Sequence, residues 1–151
     1  MNYSRITDKL FIGTTPKTED YTELRELGVQ LVINMRIGMP PRRDWHSTPI
    51  SSLWLPAIDS PLFPIPLRFL EAGVEKALKV IEAGGGVYTH CAKGRHRGPA
   101  MGACILIAQG FTPEEAMRLI KTRRPASDLH AWYIRRRIIK FADKWDKGEA
   151  K

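Results

Sequence analysis

Residues 86–104 read Gly86-Val87-Tyr88-Thr89-His90-Cys91-Ala92-Lys93-Gly94-Arg95-His96-Arg97-Gly98-Pro99-Ala100-Met101-Gly102-Ala103-Cys104. Gly86 to Cys91 is a short run of β-branched and aromatic residues, which predicts a strand. Pro99 to Gln109 is apolar and closed by Gly110, which predicts a buried helix. Between them lie polar and cationic residues. A strand–loop–helix unit of this kind aims successive backbone N–H groups and a helix N-terminus at one point, and so makes an anion cradle. Gly94 in mid-loop lets the backbone turn and lets an anion come close.

Working outward, the same alternation continues on the N-terminal side. Lys9 to Gly13 predicts a first short strand, and Thr18 predicts the cap of a helix running through Leu24 and Leu27 to Gly28. Val29 to Met35 is nearly all apolar, as a parallel strand covered on both faces requires. Arg36 to Pro49 reads as a loop, Leu53 to Ile58 as extended chain, and Asp59-Ser60-Pro61-Leu62-Phe63-Pro64 as a second, proline-marked loop. Apolar residues then recur at helical spacing from Pro66 to Ala83, ending in Gly84-Gly85-Gly86. On the C-terminal side Thr112-Pro113-Glu114-Glu115 is a capping box opening a helix to about Arg123, and a last helix is expected over Leu129 to Trp145. The fold class is therefore α/β: a mostly parallel central sheet flanked by helices.

The chain of 151 residues has room for a single domain with a real core, expected over 1–151 with 146–151 as a frayed tail. Apolar residues make up 43% and charged residues 26%, which excludes disorder and collagen-like repeats. No apolar stretch is long enough for a spanning helix and no signal-peptide core opens the chain, so a cytoplasmic protein without a transmembrane segment is expected. Its two cysteines, Cys91 and Cys104, are too few for a stapled scaffold. Cys104 falls in the apolar helix and reads as core; a disulfide with Cys91 would need oxidation. The net charge of +8 predicts attraction to anions: nucleic acid, anionic lipid or phosphorylated substrates.

The cradle narrows that choice. A cysteine at its head is stabilised as thiolate by the helix end and by nearby cations, and a thiolate is a nucleophile near neutral pH. The planar fork of Arg97 can curl back to hold two oxygens of a phosphoryl group. Lys93, Arg95 and His96 rim the cleft and favour substrates with extra anionic charge, such as phospholipid head groups or multiply phosphorylated peptides. Arg42-Arg43 and Arg123-Arg124 extend that field, whereas Arg135-Arg136-Arg137 reads as a solvated helix face. His90, Cys91 and His96 do not supply a four-ligand zinc pattern, so no metal and no cofactor is expected. Trp45, Trp54, Trp132 and Trp145 form no stacking platform, which leaves no nucleic-acid interaction expected.

His90-Cys91-x-x-Gly94-x-x-Arg97, with five residues between cysteine and arginine, resembles the signature of the cysteine-based protein tyrosine phosphatases. The short chain looks most like the dual-specificity subclass, and the resemblance runs from about Tyr3 to Trp145. It implies a protein tyrosine phosphatase-like fold and a metal-independent phosphomonoester hydrolysis through a phosphocysteine on Cys91. It further implies phosphate binding by Arg97 and by the loop residues Ala92, Lys93, Gly94, Arg95, His96 and Gly98, with His90 supporting the loop. The family's general acid lies about thirty residues upstream of the cysteine; Asp59 stands 32 residues before Cys91 and is assigned as acid, then base. The implied substrates are phosphoproteins or phosphopeptides. The same chemistry on phosphoinositides or other phospholipid head groups is an alternative, and a phosphate-binding module without turnover is another.

Two departures stand out. Gly98 occupies the place of the family's Ser or Thr, whose hydroxyl assists departure of the cysteine, so either a slowed second step or another donor in that role is expected. Ser127-Asp128 replaces a common Pro-Asn pair after Arg123-Arg124-Pro125, which removes the usual water-positioning asparagine.

Overall fold

Strand β3 (Val29–Arg36) is buried at every position except Gln30 and the half-buried Arg36, because helices cover both faces of the sheet to which it belongs. In the computed structural model, which describes residues 1–148, β3 lies between β4 (Ser51–Ala57) and β5 (Gly86–His90), parallel to both. β5 pairs in parallel with β2 (Leu10–Gly13), and β1 (Tyr3–Arg5) adds an antiparallel edge, giving the order β1-β2-β5-β3-β4. The sheet is mostly parallel, as the apolar runs require. The edge strand β1 carries no apolar alternation and was not expected from its sequence.

Helix α1 (Tyr21–Glu26) covers one face, packing Tyr21 and Leu24 on Phe11, Val32 and Tyr88. The other face carries α2 (Leu67–Glu82), α3 (Arg97–Ala108), α4 (Pro113–Arg123) and α5 (Trp132–Asp146). On α2 the residues Leu70, Gly73, Val74 and Ala77 recur at helical spacing and face inward, and burying Leu70 and Val74 contributes roughly 1.5–3 kcal/mol each. Helix α3 is buried nearly all round, so its sequence shows no polar face. Gly73 lets α2 lie directly on Met101 of α3; a Cβ there would collide with the methionine sulfur.

Several sequence expectations are corrected in detail. The cap before α1 is not Thr18: a 3-10 turn spans Thr18–Asp20, and the Asp20 carboxylate accepts from Lys17 N at 2.7 Å. Helix α3 starts at Arg97, two residues before Pro99, because Pro99 needs no N–H in a first turn. Helix α5 starts at Trp132 rather than Leu129, whose buried side chain belongs to the preceding turn. Of the tail expected to fray over 146–151, Asp146 closes α5 and Lys147 N donates to Asp143 O at 3.3 Å, and residues 149–151 lie outside the described residues. The capping box at α4 forms as read, with Glu115 N donating to Thr112 Oγ1 and Thr112 N to Glu115 Oε1.

Candidate active site

Parallel strands end together, so the segments following β3, β4 and β5 gather at one edge of the sheet, where open α/β folds bind ligands. Cys91 follows β5 directly, and residues 91–96 loop back to the first turn of α3. One cavity of about 240 Å³ there is lined by Asp59, Cys91, Ala92, Lys93, Arg95, His96 and Arg97. The structure thus brings together the three residues singled out for chemistry. Gly94 and Gly98 do not line the cavity.

Arg97 is 9% exposed, and its guanidinium is fixed from behind: Nη1 donates to Ala57 O at 2.8 Å and to Met35 O at 3.4 Å. Its buried Nε has no partner among the described residues. Such a group is costly unless an anion satisfies it. Cys91 is 3% exposed, and Thr15 Oγ1 donates to its carbonyl at 3.3 Å. Cys104 is a buried free thiol in the core, pushed up by burial. His90 ends β5 with Nδ1 buried and unpartnered; burial and the cations of Arg36 and Arg97 push its imidazole down to about 4, so it is neutral near pH 7.

Asp59 sits in the loop after β4 and is held on both carboxylate oxygens. His96 Nδ1 donates to Oδ2 at 2.9 Å and Tyr133 OH donates to Oδ1 at 2.9 Å. Partial burial works against ionisation of Asp59, but these two hydrogen bonds and the charges of His96 and Arg97 outweigh it. The carboxyl therefore lies below its ordinary range. His96 lines the cavity, yet its ring is engaged by protein: Nε2 stands 3.9 Å from Asp128 Oδ2, and Tyr133 packs edge-on against it.

Sequence reasoning missed Tyr133, and it misplaced Arg124, expected to widen the cationic field. Arg124 is 3% exposed and points beneath the loop. Its Nε donates to Gly94 O at 2.8 Å and its Nη2 to Lys93 O at 3.4 Å, while Nη1 and Nη2 reach Ser4 Oγ and Asn2 Oδ1 at 3.2 Å. Arg124 thereby holds the carbonyls of Gly94 and Lys93 on its own side of the loop. Gly94 has φ +66°, and a Cβ there would meet the Arg124 guanidinium at 2.5–2.9 Å, so glycine is needed for two reasons. The arginine pair before Pro125 was the available signal; burial of only its second member was not readable. Asp128 N donates to Arg95 O at 2.8 Å, so the 125–128 turn also buttresses the loop.

Gly98 lies against the start of the loop. A Cβ at this position would stand 3.1 Å from His90 Cα and 3.2 Å from Cys91 N. Among the described residues the one hydroxyl bonded to it is that of Thr89, which donates to Gly98 O at 2.8 Å. Among the described residues no group of three or more His, Cys, Asp or Glu side chains is placed to hold a metal ion.

A buried cysteine heading the loop between a parallel strand and a helix, an arginine anchored by Ala57 O and a carboxylate on the same cavity define the class of phosphate-handling cysteine folds. A family model described as Swiss Army Knife protein, DSP-PTPase phosphatase domain matches residues 6–149, and the chain belongs to this dual-specificity branch of the protein tyrosine phosphatases. It is 32% identical over 126 residues to human phosphatidylglycerophosphatase and protein-tyrosine phosphatase 1, covering 78% of this chain and 62% of that one. It is 30% identical over 125 residues to mouse dual specificity protein phosphatase 26, covering 76% and 56%. The chain thus spans less than two thirds of the length of these curated relatives. The crystal structure of PTPMT1 in complex with PI(5)P superposes with TM-score 0.86 at 25% identity, covering 97% of each chain. Human DUSP28 superposes with TM-score 0.85 at 21% identity over 97% of this chain and 96% of that one, a likeness of fold.

Proposed function

We propose that this protein is a phosphomonoester hydrolase of the dual-specificity protein tyrosine phosphatase type that works without a metal. The observation that carries the reading is that Cys91, Arg97 and Asp59 line one cavity. The thiolate of Cys91 attacks phosphorus; the P–O bond to the substrate breaks, and the departing alkoxide or phenoxide takes a proton from Asp59. Arg97, with Nε free to donate, and the amides of the loop from Ala92 to Arg97 hold the equatorial oxygens and stabilise their charge. Water then attacks the phosphocysteine, Asp59 accepts its proton, and the S–P bond breaks to release phosphate and the thiolate.

The hydrogen bonds from His96 and Tyr133 favour the ionised form of Asp59. An arriving phosphoryl dianion is a like charge beside it and raises its affinity for a proton, which is what the acid role requires. His96 and Tyr133 act through Asp59 as positioning residues. His90, neutral and buried, packs behind the loop. The proposed substrates are phosphoproteins or phosphopeptides, met in a reducing cytoplasmic setting where the thiol stays free. The likeness to PTPMT1 in complex with PI(5)P, together with exposed Lys93 and Arg95 on the loop, favours phospholipid head groups as the second reading.

The test is rapid-mixing hydrolysis of an aryl phosphate with chelator present. Wild type is expected to show a burst of phenol followed by a slower phase; Cys91→Ser removes both, with loss of more than about a thousandfold, and Asp59→Ala slows the burst. Equal release by wild type and Cys91→Ser, with phosphopeptide binding retained in both, would leave a phosphate-binding module instead.

A further inference from the structure

Exposed large apolar side chains are not spread over this molecule. Nine are exposed among the described residues, and six stand on segments at the edge of the sheet that bears Cys91: Ile37, Met39, Ile58, Leu62, Phe63 and Trp132. Three of the four most exposed are next to the site itself; the fourth, Trp45, stands on the connection after β3 with Arg43 over its ring. Leu62 (82% exposed) and Phe63 (57%) belong to the same loop as Asp59, and Trp132 (58%) packs edge-on against Tyr133, the residue that holds Asp59. Monomeric proteins seldom collect their exposed apolar surface in one place without a partner for it.

Cations are interleaved with these side chains. Exposed Lys93 and Arg95 line the cavity, Arg136 lies over the Trp132 ring at 6.0 Å, and exposed Lys140 shares with Trp132 and Arg136 the crevice beside Pro61 and Pro64. Carboxylates at this surface are Asp59, bonded to His96 and Tyr133, Asp128, which stands 4.0 Å from Arg95 and 3.9 Å from His96, and exposed Asp143, which lines a second crevice with Trp132, Arg136 and Lys140. The surface is therefore apolar at its tips and positive around them. A lipid bilayer with anionic head groups complements both: apolar tips enter the head-group and acyl boundary, tryptophan sits at the interface, and lysine and arginine meet the phosphates. Nucleic acid offers no apolar phase for Leu62 to enter, and no helix of the described residues is long and apolar enough to cross the membrane.

We propose that the site-bearing face docks on anionic membrane, so that the cavity works on phosphomonoesters presented at the bilayer surface. This rests on the phosphatase reading for its consequence, but not for the binding itself. The test is flotation of full-length Cys91→Ser protein with phosphatidylcholine vesicles, alone or containing phosphatidylserine. Binding is expected only with phosphatidylserine, falling as salt is raised. Leu62→Asn with Phe63→Asn is expected to weaken it by at least about tenfold, and Arg136→Glu with Lys140→Glu by a comparable factor. In otherwise wild-type protein both pairs leave aryl phosphate turnover unchanged, which also reports that they fold. Failure to bind anionic vesicles, or binding unmoved by both pairs, overturns the docking proposal while turnover of aryl phosphate upholds the catalytic one. Vesicle binding with no turnover by wild type does the reverse. Loss of phosphopeptide turnover in the rim variants without loss of vesicle binding would assign the face to an apolar peptide and overturn the membrane.

Discussion

At the far edge of the sheet the connections into β3, β5 and α4 run to two, three and four residues and turn on Gly28, Gly84 and Gly110, each with positive φ. At the edge bearing Cys91 the connections after β3, β4, β5 and α4 run to fourteen, nine, six and eight residues. The far edge is set by local chain chemistry, one glycine per turn. The near edge is set by bonds between residues remote in sequence: His96 and Tyr133 on Asp59, Arg97 on Ala57, Arg124 on Gly94. Loops of this length hold one geometry only when such bonds fix them, and each bond is then a point at which function can be broken without touching a substrate.

The largest effect short of the cysteine itself is expected from Arg124→Met. It removes the donors of the Gly94 and Lys93 carbonyls, freeing them to rotate toward the phosphate site. We expect kcat/KM for an aryl phosphate to fall about a hundredfold, with a stability loss of about 1–3 kcal/mol from the unpaired buried carbonyls. Arg124→Lys should not restore activity, because one ammonium cannot span both carbonyls and the side chains of Ser4 and Asn2. Steady-state kinetics with thermal unfolding separates the effects; wild-type activity in Arg124→Met would show that the loop needs no clamp.

Gly98→Ser probes the same edge from inside the fold. A side chain there must displace the backbone of His90 and Cys91 by a few tenths of an ångström. The expected cost is about 1–3 kcal/mol of stability and a smaller burst rate, because the nucleophile moves. The introduced hydroxyl should at the same time speed phosphocysteine breakdown, so the ratio of the slow phase to the burst rises. An unchanged ratio would mean that another donor already assists the departing thiolate.

Much of this contrast was legible in the sequence, and its limits were physical. Elements defined by apolar period and by glycine or capping chemistry were readable, as were α2, α4 and the β5–α3 unit, since each is encoded within a few residues. Cys91 and Arg97 were readable because the loop's spacing is itself local. The antiparallel β1 escaped because Tyr3–Arg5 pairs with β2 across a turn but buries little. Tyr133 stands 74 residues from Asp59, and nothing near either one encodes their meeting. Arg123 and Arg124 look alike as letters; only the docking of α4 beside the loop buries the second.

Tyr133→Phe should act more gently, through proton affinity. Its hydroxyl is one of two donors that hold the Asp59 carboxyl down, so removing it raises that carboxyl toward its ordinary value. Activity that requires protonated Asp59 is lost as pH rises through its pKa; a higher pKa therefore moves that descending limb of kcat/KM upward. Stability changes in the matching direction: a depressed carboxyl contributes stability that is present above its unfolded pKa and lost as pH falls through the folded one, and the variant has less to lose. A pH–rate profile that keeps its limb in place would remove Asp59 as the group that titrates.

The smallest effect is expected at the opposite edge, where it matters as a control on the whole comparison. Gly84 has φ +94° and nothing within 4 Å of the position its Cβ would take. Alanine there meets no neighbour, so its only penalty is the backbone conformation, about 1 kcal/mol. Gly84 N donates to Ile81 O at 2.9 Å, closing α2, and Lys9 Nζ donates to its carbonyl, so the strain stays within one turn. Thermal unfolding should report that loss while kcat/KM and its pH profile stay those of wild type. A fall in activity would show that the two edges are mechanically coupled through β5, whose first residue follows Gly85 and whose last precedes Cys91.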